Sequence, residues 1–204
     1  MPKDQSTEDR IKDAAKSIFV QKGYAGARMQ EIAEEAGGIN KALLHYYFRS
    51  KDQLFEKIFE EVFQEIMPKL NAVLNLEGSV LEKIDAFVDE YISNIRRHPH
   101  IPLFVIHELS QNPDRFVQKV TANPGLPNVA RLMMEIMEAM ERKEIRTFVP
   151  MHLFMNILSM CVFPFVARPI IQSVTQMDDL NWDQMMDDRA EMIKRFIHAA
   201  LEVE

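Results

Sequence analysis

The chain has 204 residues, of which 47% are hydrophobic, and its formal net charge at pH 7 is −7. This length suits one small domain and one of ordinary size, with enough apolar residues to bury a core. A single cysteine, Cys161, excludes an intrachain disulfide framework and fits a reducing, cytoplasmic setting. No basic segment precedes an apolar stretch near the N-terminus, so no signal peptide is expected.

The first predicted helix begins at Ser6 or Thr7, either of which can cap it, and ends at Gly23, which can adopt a left-handed conformation. Its apolar residues recur every three or four positions, which is the spacing of one buried helix face. These residues are Ile11, Ala14, Ala15, Ile18 and Phe19.

Two shorter helices follow. Small apolar residues around Ile32 indicate a second helix, after which Gly37 and Gly38 turn the chain. Asn40 is placed to cap a third helix that runs to Phe48. Two short helices joined by a glycine turn, after a supporting helix, are typical of a helix-turn-helix.

The segment 11–51 resembles the N-terminal domain of TetR-family transcription regulators. The resemblance implies a DNA-binding domain over residues 5–65, with its helix-turn-helix motif at about 29–48. The matching residues are Ile11, Ala14, Ala15, Phe19, Gly23, Tyr24, Ile32, Ala33, Ala36, Gly37, Leu44, Tyr47, Phe48, Ser50 and Lys51.

Three departures from the family pattern bear on DNA recognition. Ala27-Arg28 stands where a small residue or Thr usually precedes the second helix, Gly38 lengthens the turn, and His45 replaces a usual Tyr. These departures keep a second hypothesis open, namely a helical ligand-binding or protein-interaction module that no longer reads DNA.

The third helix is predicted to lie in the major groove. Leu44 and Phe48 would face inward, Lys41 would donate to guanine and Ala42 would contact a thymine methyl. Lys51, in the first turn of the next helix, would face a phosphate. The candidate DNA-contacting residues are Arg28, Gln30, Asn40, Lys41, Ala42, Leu43, His45, Tyr46, Tyr47 and Lys51.

The charge distribution supports this assignment. The N-terminal head, defined as residues 10–51, has eight Lys or Arg residues and four acidic residues, a net of +4. The whole chain is at −7, so the remainder is at −11. A locally basic segment on an acidic protein indicates that nucleic acid would bind at that segment.

The rest of the chain is also predicted to be helical. Ser50 and Gln53 form a capping box for a fourth helix, which Pro68 should kink or stop. No segment shows the alternation of a strand. The predicted fold is therefore all-α, with a larger helical ligand-binding and dimerisation domain at 66–204. Its helices are predicted at about 79–97, 101–111, 127–145, 150–174 and 181–203.

The most apolar segment, 148–174, approaches the length of a membrane span. Pro150, Asn156, Pro164, Arg168 and Pro169 interrupt it, so we predict a buried helix and no membrane association.

Most of the fourteen methionines lie in the C-terminal half. Unbranched thioethers fill irregular gaps in a core, and they also line deformable pockets for apolar molecules. By resemblance, the C-terminal domain of such regulators encloses a small, largely apolar effector. The candidate lining residues are Phe104, His107, Phe116, Met133, Met137, Phe154, Met155 and Leu158.

The last two predicted helices carry apolar stripes that suit either an intrachain core or a subunit interface. In the resembled family these helices form a four-helix bundle with a second copy. The candidate interface residues are Phe165, Trp182, Met185, Met192, Phe196 and Ile197.

Other classes of function lack a motif. The histidines have no acidic or cysteine partner at ligand-like spacing, and no nucleophile setting or phosphate loop is present. We therefore expect no metal, no cofactor and no catalytic residue. The favoured hypothesis is a cytoplasmic, homodimeric repressor that binds a palindromic operator and is released by its effector.

Overall fold

The computed structural model describes residues 6–111, 113–123 and 125–203, and over these ranges every regular element is an α-helix. The all-α prediction is confirmed. In chain order the helices are α1 (Thr7–Gly26), α2 (Met29–Glu35), α3 (Lys41–Tyr47), α4 (Lys51–Leu74), α5 (Val80–Arg97), α6 (Ile101–Gln111), α7 (Pro113–Thr121), α8 (Val129–Glu141), α9 (Pro150–Thr175), α10 (Asp179–Asp187) and α11 (Arg189–Leu201).

The helices form two compact units. The first comprises Met1–Glu65 and His98–Pro113, and the second comprises Ile66–Arg97 and Asp114–Glu204. The predicted division into 5–65 and 66–204 places α6 in the second domain. By its contacts α6 lies in the first unit, because the ring of Phe104 stacks on Phe55 at 3.9 Å and approaches Phe59 at 4.8 Å.

The supporting helix α1 follows its sequence pattern. The hydroxyl of Ser6 accepts a hydrogen bond from the Asp9 amide at 3.1 Å and caps its start. Gly23 has φ +67° and interrupts the helical backbone, as predicted, and one further turn of chain leads to Gly26. The predicted stripe is buried.

Helix α4, predicted to kink or stop at Pro68, does not stop there but continues to Leu74, and two other element predictions were wrong. Proline forfeits one helical hydrogen bond, and burial of Ile66 and Leu70 on either side of Pro68 offsets that loss. Helix α7 was missed because Pro113 was assigned to a linker, although proline also favours the first position of a helix. The segment 181–203 is divided by Asp188, at which α10 ends and α11 begins.

In the second unit, α5, α8, α9, α10 and α11 pack on one another. The ammonium of Lys83, which is buried on α5, lies 2.7 Å from a carboxylate oxygen of Glu135 on α8. Two contacts join α11 to α5, from His198 to Asp85 at 2.9 Å and from Lys194 to Asp89 at 3.0 Å. The interior of this unit is thus apolar, with ion pairs at the helix seams.

Helix α9 is long and apolar enough to cross a membrane by length and composition alone. The prediction that this helix is buried was wrong for a single chain, because only 22% of its most apolar 18-residue stretch is buried. One face, with Leu153, Ile157 and Cys161, packs inward, whereas Phe163 and Val174 are 62% and 77% exposed on the other. The helix therefore has two apolar faces, and the second unit covers one of them.

His100, just before α6, is buried, and neither ring nitrogen has a hydrogen-bond partner among the described residues. Burial, with smaller contributions from the charges of His98 and Lys16, lowers its pKa from 6.5 to about 4. The unfolded chain therefore takes up this proton first. The contribution of His100 to stability is complete above pH 6.5 and is lost as the pH falls from 6.5 towards 4.

We expect His100→Leu to remove this pH dependence, because leucine fills the site without a proton to gain. Between pH 7.5 and pH 5, the free energy of unfolding of the wild type should fall by about 2 kcal/mol more than that of the variant. Urea unfolding at both pH values measures the difference. The control is His45→Leu, at an exposed position, which should lose as much unfolding free energy between the two pH values as the wild type. An equal loss for His100→Leu would contradict the prediction.

Candidate nucleic-acid interface

The turn between α2 and α3 is built from glycines and one cap. Gly37 and Gly38 have φ of +94° and +70°, which residues with side chains rarely adopt. A Cβ at Gly37 would also collide with the guanidinium of Arg10, which donates to the carbonyl of Ala36 at 2.5 Å. The side chain of Asn40 accepts from the Ala42 amide at 2.8 Å and starts α3. The extra Gly38 is thus accommodated within a hydrogen-bonded turn.

Helix α3 has an inner and an outer face. Leu44 and Phe48 are buried, as predicted, whereas Tyr46 is 80% exposed. The other predicted outward residues, Lys41, Ala42, Leu43, His45 and Tyr47, are exposed as well. The rings of Tyr46 and Tyr47 meet nearly at right angles with their centroids 5.5 Å apart. A convex helix with two exposed tyrosines and a lysine has the shape and chemistry that suit a DNA groove.

The basic residues of the head differ in their partners. Lys12, Lys16 and Lys22 pair with carboxylates of Glu61, Asp13 and Glu31, respectively, at 2.9 to 3.2 Å. Lys41 and Arg49, by contrast, are exposed and form no ion pair with any residue in the described ranges. The sequence analysis counted Arg49 in the net charge but did not name it as a site residue. A basic residue two positions before the start of the fourth helix was the signal available for it.

The residues at the start of α2 form hydrogen bonds with side chains of the same helix. The amide nitrogen of Gln30 donates to Glu34 at 2.9 Å, and the backbone amide of Arg28 donates to Glu31 at 3.3 Å. A hydrogen bond from Lys22 is the main cause that lowers the pKa of Glu31, with Arg28 contributing weakly. The Arg28 side chain is exposed.

Lys51 differs from its predicted arrangement. Its ammonium was expected to face a phosphate, but it donates to the backbone carbonyls of Tyr24 at 2.7 Å and Ala27 at 3.0 Å. Those carbonyls follow the break of α1 at Gly23, and helical bonding does not satisfy them. The reason for the difference is therefore a tertiary contact between residues that lie 24 and 27 positions apart.

The candidate pocket residues do not share one environment. Phe104 and His107 belong to the first unit, where His107 lies 5.0 Å from the ring of Tyr24. Phe116 is buried, while Met133, Phe154 and Leu158 are half-buried in the second unit. Met137 and Met155 are exposed, which does not fit the lining of an enclosed site in one chain. Helical spacing alone could not separate the inner from the outer apolar face.

The candidate interface residues divide in the same way. Trp182 and Ile197 are buried within the chain, so they contribute to its own core, the alternative that the apolar stripes left open. Phe165 is half-buried, while Met185, Met192 and Phe196 are exposed, the last at 65%. Phe163 on α9, which the sequence analysis did not name, is exposed to a similar extent, at 62%.

Two family models match this chain. Residues 11–58 match the model described as bacterial regulatory proteins, tetR family. Residues 79–203, more than half of the chain, match the C-terminal domain of the HTH-type transcriptional dual regulator CecR.

Individual relatives agree with these matches. A Bacillus subtilis protein named "Probable HTH-type transcriptional regulator YttP" is 25% identical over 84% of this chain and 83% of its own. The biofilm operon icaADBC negative transcriptional regulator IcaR of Staphylococcus aureus is 29% identical over 53% of this chain and 56% of its own. The TetR-family regulator PfmR from Thermus thermophilus has the same fold, with a TM-score of 0.70, 16% identity and 98% coverage of both chains.

Proposed function

Because this chain belongs to the TetR family of DNA-binding transcriptional regulators, we propose that it is a ligand-released repressor that binds a palindromic operator as a homodimer. The outer face of α3 is the observation that carries this proposal. Its groove-sized surface carries polar and aromatic groups, while Leu44 and Phe48 hold its inner face.

Repression is the direction that IcaR, a negative regulator by name, supports. The match to the C-terminal domain of CecR, a dual regulator, allows activation at other promoters. A repressor needs only to occupy its operator, and a groove-reading surface is sufficient for that.

The exposed outer face of α9, together with α11, supports a homodimer. Phe163, Ile170 and Val174 recur at seven- and four-residue steps along α9, and Met192 and Phe196 lie four apart on the adjacent α11. These five apolar residues are 45% to 77% exposed, and soluble monomers rarely leave large apolar patches exposed. A second copy would cover these residues and form a two-fold bundle of four helices. Two α3 helices would then read two half-sites.

The interior of the second unit supports an apolar effector. Phe87 on α5 lies 5.4 Å from the ring of Tyr91 and 6.4 Å from that of Phe154 on α9. Burial raises the pKa of both Tyr91 and Cys161 to about 12, so both groups are neutral at physiological pH. The aromatic rings and these two neutral groups favour a largely apolar molecule, while the Arg189 guanidinium is a charge close to Cys161. Tenfold release of DNA needs a differential affinity of about 1.4 kcal/mol between the two states, and α4 would carry the movement.

We expect Lys41→Ala and Tyr46→Ala to weaken operator binding while leaving the fold intact, because both side chains are exposed. Loss of a guanine contact by Lys41 should reduce the preference for the correct base over a wrong one by about 1 to 3 kcal/mol. Gel shift and footprinting on the region upstream of the gene measure both effects, with Arg142→Ala as a control outside the head. Wild-type protection should cover a palindrome with half-sites about one helical turn, or a multiple, apart. If both variants bind the operator as selectively as the wild type, neither residue takes part in DNA recognition.

We expect Phe163→Glu and Phe196→Glu to give monomers, because each places a carboxylate in the proposed interface. Light scattering after gel filtration measures the mass, and Leu76→Glu, which changes an exposed leucine elsewhere, should remain dimeric. DNA affinity should fall with dimer content. A dimeric Phe196→Glu protein with full DNA affinity would place the interface elsewhere.

We expect an apolar probe to release the DNA. Decanoic acid, indole and naphthalene are suitable probes, and at least one should weaken operator binding about tenfold or more. Phe154→Ala should abolish this response while binding the operator normally without the probe. A probe that raises the melting temperature but leaves DNA affinity unchanged would argue against effector release through this core.

A further inference from the structure

Lys51 is half-buried at the start of α4, and its ammonium contacts backbone carbonyls. Its Nζ is 2.7 Å from the Tyr24 carbonyl oxygen, 3.0 Å from that of Ala27 and 3.5 Å from that of Ala25. The ring centroid of Tyr24 lies 4.5 Å away. An ammonium group has three N–H donors, so these carbonyls occupy all of them. Burial lowers the pKa of Lys51 below its ordinary value, which accords with removal from water.

The carbonyls that Lys51 binds follow the break at Gly23: those of Tyr24 and Ala25 lie in the last turn of α1, and that of Ala27 lies in the link to α2. This stretch places Ala27, which is 3% exposed, and then Arg28 at the start of α2. Tyr24 adds a second tie, because its phenol donates to the carboxylate of Asp52. Lys51 thus joins the N-terminal ends of α2 and α4, the two helices that flank α3 in the chain.

Arg49 offers a different cation at the same corner. It is exposed, lies between the end of α3 and the Ser50 cap of α4, and has no ion pair among the described residues. The Ser50 hydroxyl accepts from the Gln53 amide at 3.1 Å, so α4 begins two residues after Arg49. An unpaired guanidinium beside a helix N-terminus suits a phosphate.

We propose that Lys51 is a positioning residue that fixes the turn before α2 against α4, and that Arg49 is the cation that contacts a DNA phosphate at this corner. A phosphate contact by Lys51 would require one of its three carbonyls to give up its donor. The inference rests on the proposed DNA-binding function and assigns two residues within it.

The dependence of operator affinity on salt separates the two roles. Each lost phosphate contact lowers the slope of log affinity against log salt by about 0.9, hence by about 1.8 for a dimer. Arg49→Gln should show this decrease in slope, and it should weaken binding to all DNA sequences alike. Lys51→Met should lose affinity about tenfold with an unchanged slope. Lys51→Arg keeps the charge but should lose affinity similarly, because a planar guanidinium cannot donate to three converging carbonyls.

Arg142→Gln, on an exposed arginine outside the head, is the control and should match the wild type in both affinity and slope. A lower slope for Lys51→Met, or wild-type binding by Lys51→Arg, would show that Lys51 contacts phosphate and overturn its positioning role. An unchanged slope for Arg49→Gln would overturn the second assignment. Circular dichroism shows whether each variant folds. If Lys51→Met does not fold, the affinity of Lys51→Arg alone tests the positioning role of Lys51. Wild-type protein that binds no duplex at low salt would instead overturn the proposed function itself.

Discussion

The ring of Phe55 is the contact around which the first unit is organised. Phe19 and Tyr24 from α1 and Phe104 from α6 surround it, with centroid distances of 4.6, 5.2 and 3.9 Å, respectively. Each such aromatic pair contributes about 0.5 to 1.5 kcal/mol beyond the burial of its area. Because these rings come from distant parts of the chain, their packing fixes α1, α4 and α6 together. The small helices α2 and α3 then have a rigid support.

On that support, polar contacts set the helix-turn-helix. Arg10 donates to the carbonyl that ends α2, and Lys51 donates to those that precede it. Charged donors to carbonyls are stronger than neutral ones and also specify geometry. Two cations of the basic head therefore have backbone partners. Lys41 and Arg49 are exposed and form no ion pair within the described ranges, and the Arg28 side chain is exposed as well. Net charge identified the correct end of the chain but not which of its cations face solvent.

The second unit follows a different constraint. Helix α9 is apolar around most of its circumference, because one face packs on α5, α8 and α11 and the opposite face is exposed. A single chain buries only one of these faces, and the other remains exposed. The same property explains why the composition of α9 resembles that of a membrane span although Arg168 and three prolines lie within it.

The sequence by itself determined the helical class, the glycine turn, the Asn40 cap and the two faces of α3, because each depends on local backbone preference or on a 3.6-residue period. The tertiary structure decided the rest. Whether α4 continues past Pro68, whether Trp182 and Ile197 face the core or a partner, and which atoms Lys51 meets all depend on residues far away in the chain. Periodicity shows that a helix face is apolar, but only packing shows what covers that face.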